Sequence, residues 1–195
     1  MSAAPPADPA IGLGQIQAAD PAFDLELFKR QAVQTFLAVK QAIQERDLTD
    51  VVDQLSDGVF DDLRFDVQSL EARGAIEHFD GLAPTQVLVA AAERGPAGDV
   101  ITLRIQAVAM EYLGLAGGST TAPGAPGVFT EFWTFTRPFD AVSPSVHRNE
   151  CPTCGAPIDV DTGRICHYCK TLLPPPQAQT GWVVAAILPA QENQG

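Results

Sequence analysis

Basic residues are scarce in this chain: 12 Lys and Arg stand against 24 Asp and Glu, giving a formal net charge of −12 over 195 residues. A surface poor in cations weighs against non-specific binding to DNA or RNA, which depends on Lys and Arg neutralising phosphates. It weighs equally against an electrostatic hold on anionic lipid headgroups. No stretch approaches the roughly 18 uninterrupted apolar residues that would suggest a membrane-spanning helix. The opening residues MSAAPPADPAIGLG carry neither a basic leader nor a continuous apolar core, so no secretory signal is expected. There is no Ser-His-Asp order, no phosphate-binding glycine loop and no His-rich catalytic metal motif. Cysteine is also rare, at four residues. Without an export signal, paired thiols read as metal ligands rather than disulfides. The expected compartment is the cytoplasm, with a place at the periphery of a membrane as the other option.

What is present is concentrated. All four cysteines lie in Cys151-Pro-Thr-Cys154 and Cys166-His-Tyr-Cys169. Zinc favours four soft ligands in a tetrahedron, and two C-x2-C turns supply them. Gly155 suits the turn after the first pair, and Asp161-Thr162-Gly163 can reverse the chain between the pairs. The expected cofactor is therefore zinc, on Cys151, Cys154, Cys166 and Cys169. A closed four-thiolate site leaves no position for water, which makes it structural rather than catalytic. Iron fits less well, because the second pair lacks the Pro and Gly of the first. His147 and His167 are read as surface residues. Arg148, Arg164 and Lys170 are balanced by Glu150, Asp159 and Asp161, so no nucleic-acid partner is expected.

Hydrophobic spacing predicts helices first. Residues 1–19, rich in Ala, Pro and Gly, read as a flexible lead-in. Asp20-Pro21 reads as the start of a long helix, with Phe28, Ala32, Phe36, Val39 and Ile43 on one face and an end near Arg46. Asp47 can cap a short helix carrying Val51, Val52 and Leu55. Ser56 or Asp57 opens a third, with Phe60, Leu63, Val67 and Leu70 on one side and Gly74 as its stop. From Ala75 the period becomes strand-like. Strands are expected at Ala75–Phe79, Thr85–Glu93, Asp99–Leu113 and Val128–Arg137, and the apolar Gly181–Leu188 should rejoin the same sheet. In Asp99–Leu113, residues Ile101, Leu103, Ile105, Ala107 and Ala109 face one way while Thr102, Arg104 and Gln106 face the other. Residues 114–127 read as a hairpin loop. The fold class is α+β: N-terminal helices on a curved antiparallel sheet, a cone-shaped roll with a small zinc-ribbon insertion before its last strand. The cone covers 20–140 and 180–190, and the ribbon 147–173.

Several motifs in this order have a family resemblance. Asp20-Pro21-Ala22-Phe23-Asp24 leads into the first long helix, Ser56-Asp57-Gly58-Val59-Phe60 opens the third, and Glu131-Phe132-Trp133-Thr134-Phe135-Thr136-Arg137 comes late. Over roughly residues 16–188 the chain resembles the C-terminal domain of the forty-four-kilodalton subunit of the mitochondrial inner-membrane translocase and its bacterial relatives. That domain is of the cone-shaped nuclear-transport-factor-two superfamily. The resemblance implies scaffold or adaptor work, a protein partner, and an apolar pocket able to accept lipid. Residues Phe28, Phe36, Leu103, Ile105, Glu131, Trp133 and Phe135 would line that pocket, with simple core filling as the alternative for each. A homodimer is also compatible. Glu131 shares a strand face with Phe129, Trp133 and Phe135. It is either an inward carboxylate suited to acid–base work or one near the strand end, exposed or paired with an Arg such as Arg104 or Arg64. Three functions follow: a non-enzymatic binding scaffold, an isomerase- or dehydratase-type enzyme using Glu131, and a ribosome-associated factor.

Overall fold

The computed structural model describes residues 8–115, 125–141, 143, 153–154, 156, 166, 168–171 and 181–190. Its elements are α1 (Pro9–Ala19), α2 (Leu25–Glu45), a 3-10 turn (Thr49–Gln54), α3 (Asp57–Ala72), β1 (Ala75–Gly95), β2 (Gly98–Leu115), β3 (Gly127–Arg137) and β4 (Val183–Pro189). The four strands form one antiparallel meander in the order β1-β2-β3-β4. The architecture is α+β, with the helices packed against the open sheet around a shared core.

The helical spacing holds, with shifted boundaries. Asp24, not Asp20, caps α2: its carboxylate accepts the Leu27 backbone N–H at 2.9 Å. Asp20 is buried and bound to the end of β3 instead. Phe28, Ala32, Phe36 and Val39 form the buried stripe of α2. Arg46 ends the helix in the left-handed conformation, and its guanidinium donates to the Ala75 carbonyl. Ser56 caps α3, and its own N–H donates to the Val184 carbonyl at 2.9 Å.

The flexible lead-in expected over 1–19 is corrected from Asp8 onward. Asp8 accepts the Ala10 N–H, Pro9 occupies the first turn, and α1 follows. Ile16 is fully buried in the main core. A Cβ at Gly12 would stand 1.9 Å from the Ala92 carbonyl oxygen, so glycine is what lets α1 lie directly on β1. Composition pointed to a loose segment because Ala, Pro and Gly are weak in pattern, whereas the fit of Gly12 is a tertiary matter.

The two short strands expected at 75–79 and 85–93 are one long strand, β1. Its pairing with β2 shifts between Asp80 and Ala83, between Pro84 and Gln86, and between Val89 and Ala91. Such irregularities bend a strand and increase its twist. Gly81 supplies a positive φ of 68° at the first, and Pro84 is tolerated because β1 is an edge strand. The alternation of β2 is as expected: Ile101, Leu103, Ile105, Ala107 and Ala109 are all buried inward. β4 rejoins the sheet beside β3, pairing Phe135 with Val184. The residues between β3 and β4 carry the cysteines.

Candidate functional site

The cone interior is built from α2 above and the inward faces of β2, β3 and β4 below. Phe28, Phe36, Leu103, Ile105, Trp133 and Phe135 are all buried there. Phe28 meets Phe135 edge-on at 5.4 Å and Trp182 at 4.9 Å, while Phe36 meets Trp133 edge-on at 5.3 Å. These contacts bring the expected lining residues together as one aromatic core. A cleft of about 10 Å³ lies between Phe28, Ala32, Thr35, Gln54, Phe135 and Trp182. That is room for about one water molecule.

Glu131 points inward, but neither Arg104 nor Arg64 is its partner. Arg104 bonds Gln86 and Arg64 bonds Asp61. Instead, one Glu131 oxygen accepts Lys40 Nζ at 2.7 Å, and the other accepts Trp133 Nε1 at 2.9 Å. Both oxygens are thereby engaged in holding the wall of the cone, the lysine bond being of the stronger, charge-assisted kind. Lys40 is 8% exposed and stands among the rings of Phe79, Phe129 and Phe36 at 4.7, 5.4 and 5.9 Å. Its aliphatic stem and cationic head suit an aromatic surround.

Two further carboxylates share this mouth. Glu77 and Glu111 occupy the β1–β2 positions beside Phe79 on the inward face. Loss of hydration raises the Glu77 carboxyl above the usual glutamate range; Lys40 pulls it back, and Glu111 and Glu131 push it up again. Glu111 is also raised, by desolvation first and by the Glu131 charge, with Lys40 opposing. The sequence held a signal for Lys40. It falls four residues after Phe36 in the Phe28-Ala32-Phe36 stripe, a charge where the helix faces the core. Glu77 and Glu111 had none, since their meeting depends on strand register.

The opposite end of the cone holds a buried ionic node. Arg137 Nε donates to Asp99 at 2.8 Å, and Arg137 Nη1 donates to Asp20 at 2.7 Å and to the Ser143 hydroxyl at 3.3 Å. Arg94 donates to the other Asp99 oxygen at 2.6 Å. Burial works to raise Asp20, but hydrogen bonds from Ser143 and Arg137, together with the Arg137 charge, hold it below the usual aspartate range. The node joins α1–α2, the β1–β2 hairpin, the end of β3 and the chain leaving it.

Three of the four cysteines come together in space. The sulfurs of Cys154, Cys166 and Cys169 all lie within 4.8 Å of one another, and Cys154 and Cys166 are 3.8 Å apart. A disulfide holds its sulfurs at about 2.05 Å. Two thiolates each about 2.3 Å from a tetrahedral zinc stand about 3.8 Å apart. The cluster is therefore close enough to hold a metal ion. Local backbone explains the convergence of the second pair. The Lys170 N–H donates to the Cys166 carbonyl at 3.0 Å, and the Cys166 N–H donates to the Thr171 carbonyl at 2.9 Å. Lys170 itself takes the left-handed conformation, φ 59°, at the position after the second cysteine that Gly155 occupies in the first pair. Cys151, His147 and His167 lie outside the described residues.

Among the described residues no helix is long and apolar enough to cross a membrane. No curated protein matches the chain. The family model for the Tim44-like domain matches residues 10–146, from α1 through β3 and ending before the first cysteine. With most of its length covered and the helices-then-meander order in place, the chain belongs to the Tim44-like domain family.

Proposed function

We propose that this protein is a non-enzymatic scaffold that holds a protein partner in a protein-transport setting, with one structural zinc ion on Cys151, Cys154, Cys166 and Cys169. The family match over residues 10–146 carries the reading. The engagement of both Glu131 oxygens supports it, because the carboxylate best placed for acid–base work is already committed to Lys40 and Trp133. The 3.8 Å sulfur separation supports zinc as the occupant. A cytoplasmic location, or one peripheral to a membrane, goes with this reading. A lipid chain or other apolar ligand would enter by parting Phe28 from Phe135 and Trp182, since the cleft between them is about 10 Å³.

Native mass spectrometry of the purified chain tests the proposal. One zinc per chain is expected, and the same spectrum reports co-purified lipid and whether a homodimer forms. A reduced, zinc-free mass at saturating zinc would refute the metal site. Turnover abolished by Glu131→Gln in a folded protein would refute the non-enzymatic reading.

A further inference from the structure

Glu77 stands between two bonds that tie the last turn of α2 to β1. On one side the Phe79 N–H donates to Gln44 Oε1 at 3.1 Å; on the other, the Arg46 guanidinium donates to the Ala75 carbonyl. The strand alternation that buries Ala75 and Phe79 turns Glu77 to the same inward face. Glu111 pairs with Phe79 across the β1–β2 ladder, which makes it the diagonal neighbour of Glu77 on that face. Glu77 is half-buried there, and Glu111 stands at the exposed rim. The charges around this point do not balance. Lys40, on α2, lies 4.7 Å over the Phe79 ring, with its ammonium bonded to Glu131 of β3 at 2.7 Å. Asp66, on α3, adds a further negative charge acting on Glu77. Arg46 directs its Nη2 to a carbonyl rather than a carboxylate, and its Nε is buried without a partner among the described residues. His78 and Asp80 face the other side of the sheet, where Tyr112 stacks on the first and donates to the second. One ammonium thus serves three glutamates, Glu77, Glu111 and Glu131.

We propose that this seam is a proton-sensitive latch: it holds α2 against β1 while Glu77 and Glu111 carry protons, and loosens as both ionise beside Glu131. Ionising both leaves three carboxylates around Lys40 at a place partly withdrawn from water, where like charges repel more strongly than in bulk solvent. Neither strand can move away from the other, because β1 and β2 are laddered from Ala75–Leu115 to Gly95–Gly98. The easier relief is to part β1 from the α2 turn, at the loss of the Phe79–Gln44 and Ala75–Arg46 bonds. Water then reaches the Glu77 carboxylate, and it also supplies the acceptor that Arg46 Nε lacks. The sign follows from burial. Carboxyls raised in the closed seam hold their protons more tightly there, so closure is complete in acid and weakens as pH rises through the window above the usual glutamate value.

Hydrogen exchange of the full-length protein tests this through the Phe79 amide, whose acceptor lies on α2. After correction for intrinsic exchange, Phe79 protection should fall about three- to tenfold between pH 4.5 and pH 7, while β2–β3 amides change by less than about twofold. In the Glu77→Gln, Glu111→Gln double variant, Phe79 protection should stay level across the same range. A wild-type Phe79 amide equally protected at both pH values overturns the latch. A fall shared to the same extent by the β2–β3 amides also overturns it, since the whole fold would then be loosening. So does a fall that survives unchanged in the double variant, which would put the titrating group elsewhere.

Discussion

Replacing Arg137 by Met removes the centre of the buried node while keeping much of the side-chain volume. Arg137 is 2% exposed and gives hydrogen bonds to Asp99, Asp20 and Ser143. Its guanidinium also packs 4.9 Å from the Trp182 ring and 5.6 Å from the Phe23 ring. In the variant, Asp99 keeps Arg94, but Asp20 keeps only Ser143. Removing one partner of a buried pair costs about 3–5 kcal/mol, because the other charge stays desolvated. At about 2–4 °C per kcal/mol for a chain of this length, the melting temperature should fall by about 6–20 °C. Urea unfolding at pH 7, followed by circular dichroism, gives the free energy directly. The sign with pH follows from Asp20. Its carboxyl is held below the usual aspartate range, so its contribution is complete above that range and is lost as pH falls through the folded value. The gap between wild type and Arg137→Met should therefore narrow in acid. Asp20→Asn in the variant background should cost less than in the wild type, with a coupling of about 1–3 kcal/mol. A loss under about 1 kcal/mol at pH 7, or one that does not change down to pH 3, would refute the reasoning.

Three other substitutions probe the mouth and the helix seat. Lys40→Met strips Glu131 of its cation and removes the positive charge that restrains Glu77 and Glu111. A loss of about 2–4 kcal/mol at neutral pH, partly recovered in mild acid, is expected in urea titrations. Glu77→Gln should act in the opposite direction. A carboxyl raised in the folded state binds its proton more tightly there than in the unfolded chain, so stability falls as pH rises through the window above the usual glutamate value. The variant should be more stable than wild type at pH 7.5 and equal to it at pH 4; a less stable variant at pH 7.5 would count against the crowded-carboxylate account. Gly12→Ala places a methyl 1.9 Å from the Ala92 carbonyl, where neither backbone can give way cheaply. A loss of about 1–3 kcal/mol, with raised exchange in α1 and little change in β3, is the expected result.

Much of this protein is legible in its pattern. The 3.6-residue stripe Phe28-Ala32-Phe36-Val39 and the two-residue alternation of Ile101 to Ala109 mark a helix and a half-buried strand wherever they occur. They foretold α2 and β2 because both elements bury one face against the same core. The closeness of Cys154, Cys166 and Cys169 was legible too, because a C-x2-C turn needs only a few residues to bring two sulfurs together. Glu131 was marked as notable by its place among aromatics on one strand face.

What lay beyond reach was every choice that depends on which distant atoms meet. Asp20 and Asp24 are equally good caps by composition, yet only the approach of Arg137, over a hundred residues away in the chain, decides that Asp20 is buried in an ion network. Glu131 could have met Arg104, Arg64 or Lys40, since each is a cation of the same charge. The choice falls to Lys40 because the α2 stripe is laid over β3 at that point. The α1 segment looked loose because its order comes from Gly12 resting on Ala92 rather than from an amphipathic pattern. The sequence by itself determined the helical type of α2 and α3 and the strand type of β2, β3 and β4, because periodicity acts within a few residues. The tertiary structure alone decided the ion partners and the seating of α1, because those depend on distances between groups far apart along the chain.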